Sequence, residues 1–277
     1  MFTPFAFIKT IAAAPAFDPD AQAFIDATGI SGTDATAINT LVLDLKAASL
    51  WTEMYALWPF VGGTSTTNKY NLINPAQYSA SFQGSQTFNS TGWFNNSTSN
   101  GNGALLNFNP ITQVTDLNDF GVGYYAGNSS SVGTLDFGSF QPSIGNSSTY
   151  LSADLAGGTG LYITDFYSES ESRIVTANGA SGNVIGMWSV QRTAADVLKA
   201  YRGATNIATN TTSRTTSPVS CSFALGGCTN LNELGGTRID QNKDQKYQLL
   251  YFSYGLSDAQ VASLNTIVED FQTNVGR

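Results

Sequence analysis

The stretch from Asn183 to Ala208, NVIGMWSVQRTAADVLKAYRGATNIA, leaves the chain few architectural options. Side chains alternate across a strand, so Val184, Gly186, Trp188 and Val190 share one face and Ile185, Met187, Ser189 and Gln191 the other. A second strand, around Val197 to Tyr201, follows a short turn. Arg202-Gly203 then turns the chain again into an extended piece around Ile207. Consecutive hairpins of this kind predict a twisted antiparallel sheet. Such sheets carry binding surfaces and particle architecture more often than compact acid–base sites.

Punctuation elsewhere sets the other elements. Asp18-Pro19 reads as an N-cap followed by proline at the first helical position, with Ala21 to Ala27 helical and Gly29 ending the helix. A second helix from Thr33-Asp34 places Ile38, Leu41, Val42 and Leu45 on one apolar stripe. Trp51, Met54, Tyr55 and Trp58 continue that surface, so residues 18 to about 60 are expected to be helical until Pro59 and Gly62-Gly63. Beyond Thr64, Asn, Ser, Thr and Gly dominate, and turns recur at the spacing of a sandwich or jelly roll. The expected strands there are Tyr78–Phe88, Ala104–Phe108, Phe120–Tyr125, Gly133–Phe140, Gly160–Tyr167, Arg173–Asn178 and Tyr247–Ser253, with a long surface loop over Asn89–Asn102.

The last helix opens with a Ser257/Gln260 capping box, has Asp258 at its positive end, and is followed by Gly276. Its stripe of Val261, Leu264, Val268, Phe271 and Val275 is too short to zip alone and is expected to pack on its own sandwich. The expected organisation is an extended arm over 1–17, a helical segment over 18–63, and a sandwich over 64–277 closed by a helix at 257–275.

Composition removes several function classes. The chain has no histidine, which excludes Ser–His, Cys–His and His–metal mechanisms together. A net charge of −8 with 12 Lys and Arg argues against nucleic acid and anionic membrane surfaces as partners. No apolar run approaches the roughly 18 residues that membrane insertion needs. Pro4 and Lys9 interrupt the apolar core a signal peptide requires, so an arm is expected at the N-terminus. Cys221 and Cys228 would stand roughly 23 Å apart on a straight strand, and a disulfide needs about 4.4–6.8 Å between Cα atoms. Free thiols and a bond closed by a Gly226-Gly227 turn both stay open. Two Cys without His make no zinc site.

Several segments carry a family resemblance. WSVQRTAADVLKAYRGATNIA resembles a strand pair of laminin-G-like and concanavalin A-like jelly rolls. The close, YQLLYFSYGLSDAQVASLNTIVEDFQTNVGR, resembles phage-encoded members of that superfamily, in which an aromatic strand precedes GLSD and a helix ending FQT…GR. DPDAQAFIDATGI, AINTLVLDLKAASLWTEMYALWPFVGGT and KYNLINP fit the same pattern, so the resemblance spans 18–277, by style more than motif over about 85–180.

It implies a mainly β, jelly-roll sandwich with an N-terminal helical segment and a C-terminal helix. It also implies a non-enzymatic phage virion protein of the capsid, head fibre or tail. Other virion proteins and host cell-surface glycans are the implied partners, in a homo-oligomer, with no cofactor, no metal and no transferable catalytic set. A glycan-binding adhesin or receptor-binding module is the alternative, and a polysaccharide hydrolase the third reading.

Retaining hydrolases hold two carboxyls about 5–5.5 Å apart, and Glu169-Ser170-Glu171 is the nearest candidate pair. It lacks a third acid, and Arg173 follows at once, so a solvated edge is expected. Asp240-Gln241-Asn242-Lys243-Asp244 imitates half a calcium loop, but Gln245 and Phe252 stand where glycine and glutamate are needed. Gly121-Val122-Gly123 precedes no helix and is no nucleotide loop. Aromatic faces suit sugar rings. Trp93, Phe94, Tyr124, Tyr125, Tyr162 and Tyr167 are nevertheless expected in the core, with Trp93, in its polar loop, the exception expected to bind ligand.

Overall fold

A computed structural model describes residues 17–95, 101–128, 136–141, 147–152, 161–164, 174–176, 184–213, 222–230, 238–240 and 245–277. Helices α1 (Pro19–Thr28) and α2 (Gly32–Ala47) lead through a 3-10 turn at Trp51–Glu53 into strand β1 (Met54–Trp58). A short helix α3 (Ser65–Asn68) precedes β2 (Ser81–Gln83), β3 (Gln86–Asn89), β4 (Gly92–Asn95) and β5 (Gly103–Leu105). Then come α4 (Pro110–Gln113), β6 (Phe120–Ala126), β7 (Phe137–Gln141), β8 (Ser147–Ser152), β9 (Leu161–Thr164) and β10 (Ile174–Thr176). The ribbon β11 (Gly186–Ala194), β12 (Val197–Arg202) and β13 (Thr205–Asn210) follows. The chain closes with β14 (Ala224–Leu225), β15 (Cys228–Asn230), β16 (Arg238–Asp240), β17 (Gln245–Ser253) and α5 (Asp258–Asn274).

One sheet runs β13-β12-β11-β6-β17-β4-β3, with β1 also paired to β17. The other runs β10-β9-β8-β7-β14-β5-β2, with β15 and β16 added beside β7. Among the described residues, pairing is antiparallel apart from β15 on β7. The hairpins expected at Asn183–Ala208 are present as three successive strands.

The first sheet is the middle of three layers, and both of its faces are buried. Its inner face sets Trp58, Trp93, Phe120, Val122, Trp188, Val190, Leu250 and Phe252 against Ala104, Phe108, Phe137, Phe223 and Leu225 of the opposing layer. Its outer face sets Leu57, Tyr125, Met187, Leu249 and Tyr251 against Phe24, Ile38, Leu41, Leu45, Leu264, Val268 and Phe271 of the helices. Period-2 alternation explains how Leu249 and Tyr251 face the helices while Leu250 and Phe252 face the sandwich. An irregularity between Tyr247 and Leu249 switches that parity, which returns Tyr247 to the inner face.

The expected helix ends are found. Asp18 Oδ1 accepts from Asp20 N at 3.0 Å, Gly29 is left-handed, and the Ser257/Gln260 box is reciprocal. The C-terminal helix packs on its own sheet and on α2, as expected.

Three expectations fail. Asn89–Asn102 is not one surface loop, because Gly92–Asn95 forms β4 between β3 and β17 and buries Trp93. Met54–Trp58 is not helix but a strand on β17, because both of its faces find apolar cover: Met54 and Leu57 under the helices, Ala56 and Trp58 in the sandwich. Tyr78–Phe88 is not one strand. It passes from the second sheet (β2) to the first (β3) at Gly84-Ser85, where Asn102 Oδ1 accepts from Ser85 N at 2.7 Å.

Two motifs acquire structural roles. A Cβ at Gly121 or Gly123 would collide with the side chains of Gln191 and Tyr251, so the glycines make room for a buried polar bridge. In that bridge Gln191 Nε2 donates to Tyr251 OH (3.1 Å) and Gln191 Oε1 accepts from Leu256 N (3.0 Å). The GLSD turn is fixed by the same neighbourhood. A Cβ at Gly255 would meet the Arg192 carbonyl, Leu256 is buried, Ser257 caps α5, and Asp258 binds Lys199 and Tyr201.

Candidate functional site

Trp93 does not present its indole to solvent. It is 0% exposed on β4, stacks on Tyr247 at 5.1 Å, touches the rings of Phe60 and Phe82, and donates its Nε1 proton to Gln86 Oε1 at 2.5 Å. Its polar sequence neighbours mark a strand end, and β4 alternation turns the ring inward. The expectation of a ligand contact at Trp93 is therefore replaced by a core role.

Tyr124 and Tyr125 are buried as expected; Tyr124 donates to Asp136 Oδ2 (2.7 Å) and Tyr125 to Glu269 Oε2 (2.9 Å). Phe94 is half-buried on β4. Tyr162 lies on β9. Tyr167, Glu169, Glu171, Cys221, the run 241–244 and residues 1–16 lie outside the described residues. Among the described residues no three His, Cys, Asp or Glu side chains gather as a metal site, and no helix is long and apolar enough to cross a membrane.

A different aromatic group forms at one end of the sandwich. Tyr55 leaves β1 at the register irregularity between Met54 and Ala56 and meets Tyr254 at 4.6 Å between centroids. Tyr254 follows β17 directly and its N–H donates to Glu53 O at 2.8 Å, locking the two strand ends together. Tyr78, before β2, sets its ring edge-on to Phe108 at 5.1 Å and 79°. Tyr55 reaches the same Phe108 at 6.4 Å. Phe108 itself is fully buried and stacks on Phe252 at 4.3 Å and 7°, so the tyrosines ride on a rigid aromatic column. All three tyrosines keep part of their surface in solvent.

The backbone at this end is strained. Tyr78 has φ +54°, the left-handed region that bulky residues rarely enter, and Asn107 has φ +52°, where asparagine is better tolerated. Asn107 Nδ2 donates to Ser79 O at 2.5 Å, which ties Asn107 to the residue after Tyr78. Residues held this way cost about 1–3 kcal/mol each and cluster at functional sites.

Polar atoms lie under and beside the rings. Tyr55 OH and Asn118 Oδ1 are buried without a hydrogen-bond partner. Burial pushes the Tyr55 phenol up to about 12, helped by the neighbouring Tyr254 phenol and opposed by Thr115, so it stays neutral across the physiological range. The bordering loop is held by Asp116 Oδ1 accepting from Asn118 N (2.8 Å) and Asp119 Oδ1 accepting from Gly255 N (2.8 Å). Aromatic faces with phenol, amide and carboxylate groups beside them can stack on a flat apolar face and exchange hydrogen bonds with hydroxyls. They offer no nucleophile–base pair.

Besides a cleft of about 390 Å³ beside Thr33, Thr36, Thr40 and Asn274, two shallow clefts lie on the helical side. One of about 420 Å³ runs between α2 and α5 beside Asp44, Ala47, Ile267 and Asp270. The other, about 350 Å³, opens beside Ile185, Gly203, Asn265 and Glu269.

No protein-family model matches the sequence, and no curated protein matches it. Solved structures do match in fold. Domain 4 of AbnA, a GH43 extracellular arabinanase from Geobacillus stearothermophilus solved with arabinotriose, aligns with TM-score 0.52 at 14% identity, covering 76% of this chain and 98% of that domain. A mutant Trypanosoma rangeli sialidase displaying trans-sialidase activity aligns with TM-score 0.53 at 12% identity over 86% of this chain and 39% of the sialidase. The binding domain of botulinum neurotoxin DC, solved with rat synaptotagmin II, aligns with TM-score 0.53 at 11% identity over 79% of this chain and 52% of that one. The likeness establishes a mainly β, jelly-roll sandwich.

Proposed function

We propose that this chain is a saccharide-contacting jelly-roll module without catalytic activity, and that Tyr55, Tyr78 and Tyr254 form its contact surface. The carrying observation is a chain of part-exposed rings, Tyr254 on Tyr55 and both Tyr55 and Tyr78 on the buried Phe108, beside a left-handed Tyr78 whose neighbour Ser79 is bonded by Asn107. A saccharide face carries C–H groups that fit an aromatic ring, and its hydroxyls suit the phenol and amide groups around the rings. The related sandwich of the arabinanase, solved with arabinotriose, supports this reading. A chain without histidine fits contact better than turnover.

Binding to arrayed bacterial surface polysaccharides tests it. Tyr254→Ala is expected to weaken retention about tenfold, or about 1.4 kcal/mol, with an unchanged melting temperature. Equal retention by both proteins would sink the reading. Release of reducing ends from any bound polysaccharide would remove its non-catalytic part.

The resemblance of the GLSD close and the helical opening to phage proteins supports a virion setting, with the module facing host glycans from a particle surface. Mass spectrometry of purified virions tests that setting, and absence of the chain from them would exclude it.

A further inference from the structure

We infer that the tyrosine surface takes saccharides without acidic groups and rejects uronic or sialic acid residues. This rests on the reading of Tyr55, Tyr78 and Tyr254 as a saccharide contact, and adds the charge class of the ligand.

The charges at this end of the sandwich are unevenly placed. Glu53 immediately precedes β1 and its carbonyl holds Tyr254 N, so an acidic residue sits at the joint between two of the three tyrosines. Asp119 is bonded to Gly255 N, the residue next to Tyr254, and the exposed Asp116 anchors the same loop. The cations near this end include Lys69, whose carbonyl accepts from Ala80 N and whose Nζ sits over the Tyr70 ring at 4.9 Å, and Arg192. The Arg192 side chain is the more deeply packed of the two. It is 0% exposed, and its Nη1 is turned onto the carbonyls of Ala194 (3.3 Å) and Ala195 (2.6 Å), away from a role as a surface anion receptor. The chain as a whole carries −8.

A carboxylate brought to the rings would therefore approach a neighbourhood that holds the acidic residues Glu53, Asp116 and Asp119, within the field of a chain of net charge −8. Each unit charge several ångströms away acts through high-dielectric water, so the penalty per group is small. Three such groups together reach a several-fold effect, screened by salt over a Debye length of about 8 Å at 0.15 M. Rejection of acidic ligands is therefore expected to be strong at low salt and to fade as salt rises. A preference set by hydrogen-bond geometry would not fade.

The test uses acidic bacterial polysaccharides immobilised before and after reduction of their carboxyl groups to primary alcohols, at about 20 and 150 mM salt. Retention is compared for the intact chain, a Glu53→Gln/Asp116→Asn double variant and Tyr254→Ala. Reduction is expected to raise retention by the intact chain about three- to tenfold at low salt and less at high salt. The double variant is expected to lose most of that gain. Tightest retention of an unreduced acidic polysaccharide, still weakened by Tyr254→Ala, would overturn the charge inference and leave the tyrosine surface standing. Retention that ignores Tyr254→Ala, or no retention of any polysaccharide, would overturn both.

Discussion

Tyr78 holds a left-handed conformation, φ +54°, that its bulky side chain disfavours. Ser49 shows the ordinary version of the same conformation. At φ +58° it stands where helices commonly place glycine, with Ser49 N bonded to Lys46 O and Leu50 N to Leu45 O. Ser49→Gly is expected to stabilise the protein by about 0.5–1 kcal/mol, read as a rise in melting temperature; a fall would show that the hydroxyl matters. Trp93→Ala is expected to cost about 3–5 kcal/mol by leaving a cavity among Phe60, Phe82 and Tyr247. A stable Trp93→Ala protein in chemical denaturation would contradict its place in the core. Such a variant therefore cannot report on ligand contact without reporting on folding.

The elements divide by how local their determinants are. α1, α2 and α5 were legible because their caps, stripes and stop signals lie within a few residues of one another. β1 was not, since Trp51, Met54, Tyr55 and Trp58 fit helical spacing as well as a strand buried on both faces. The corner at Gly84 was hidden too, because the side chain that fixes it, Asn102, arrives from a distant part of the chain.

Helix α5 is fastened to the sheet by hydrogen bonds from Tyr201 (2.6 Å) and Lys199 (2.6 Å) to Asp258 and from Tyr125 to Glu269. Arg277 adds bonds to the carbonyls of Phe60 (2.6 Å), Ser90 (3.1 Å) and Gln248 (3.1 Å), and burial pushes its guanidinium down to about 10, still charged at neutral pH. Lys199 and then Tyr201 hold the Asp258 carboxyl below its ordinary 3.8. Its folded value is depressed, so its contribution is complete above that ordinary value and lost as pH falls through the lower folded one. Amide exchange in α5 is expected to quicken below about pH 4, and Asp258→Asn is expected to remove that acid sensitivity; an unchanged pH profile would show that the latch is idle. On the sheet beneath, Gly123→Ala is expected to cost about 1–3 kcal/mol by pushing Tyr251 and Ser189. A neutral result would mean that the Gln191–Tyr251 bridge can move aside.

The three-layer arrangement explains why the contact surface escaped sequence reading. Covering the outer face of the first sheet with helices turns its aromatic residues into core on both sides, which is where Trp93, Tyr124 and Tyr125 went. Among the described residues, Tyr55, Tyr78 and Tyr254 keep part-exposed rings at or just beyond strand ends. They come from three separate segments: Tyr55 and Tyr78 meet through Phe108, and Tyr254 joins them through Tyr55. The recurrent single aromatics after Thr64 were the one visible signal, and they do not say which rings lie at an end. Titrating the protein, labelled at its tyrosine rings, with a retained saccharide while following ring proton shifts decides the matter. The signals of Tyr55, Tyr78 and Tyr254 are expected to move together and saturably. Shifts confined to the Ile185–Asn265 cleft or to the α2–α5 groove, with those three rings unmoved, would contradict the assignment.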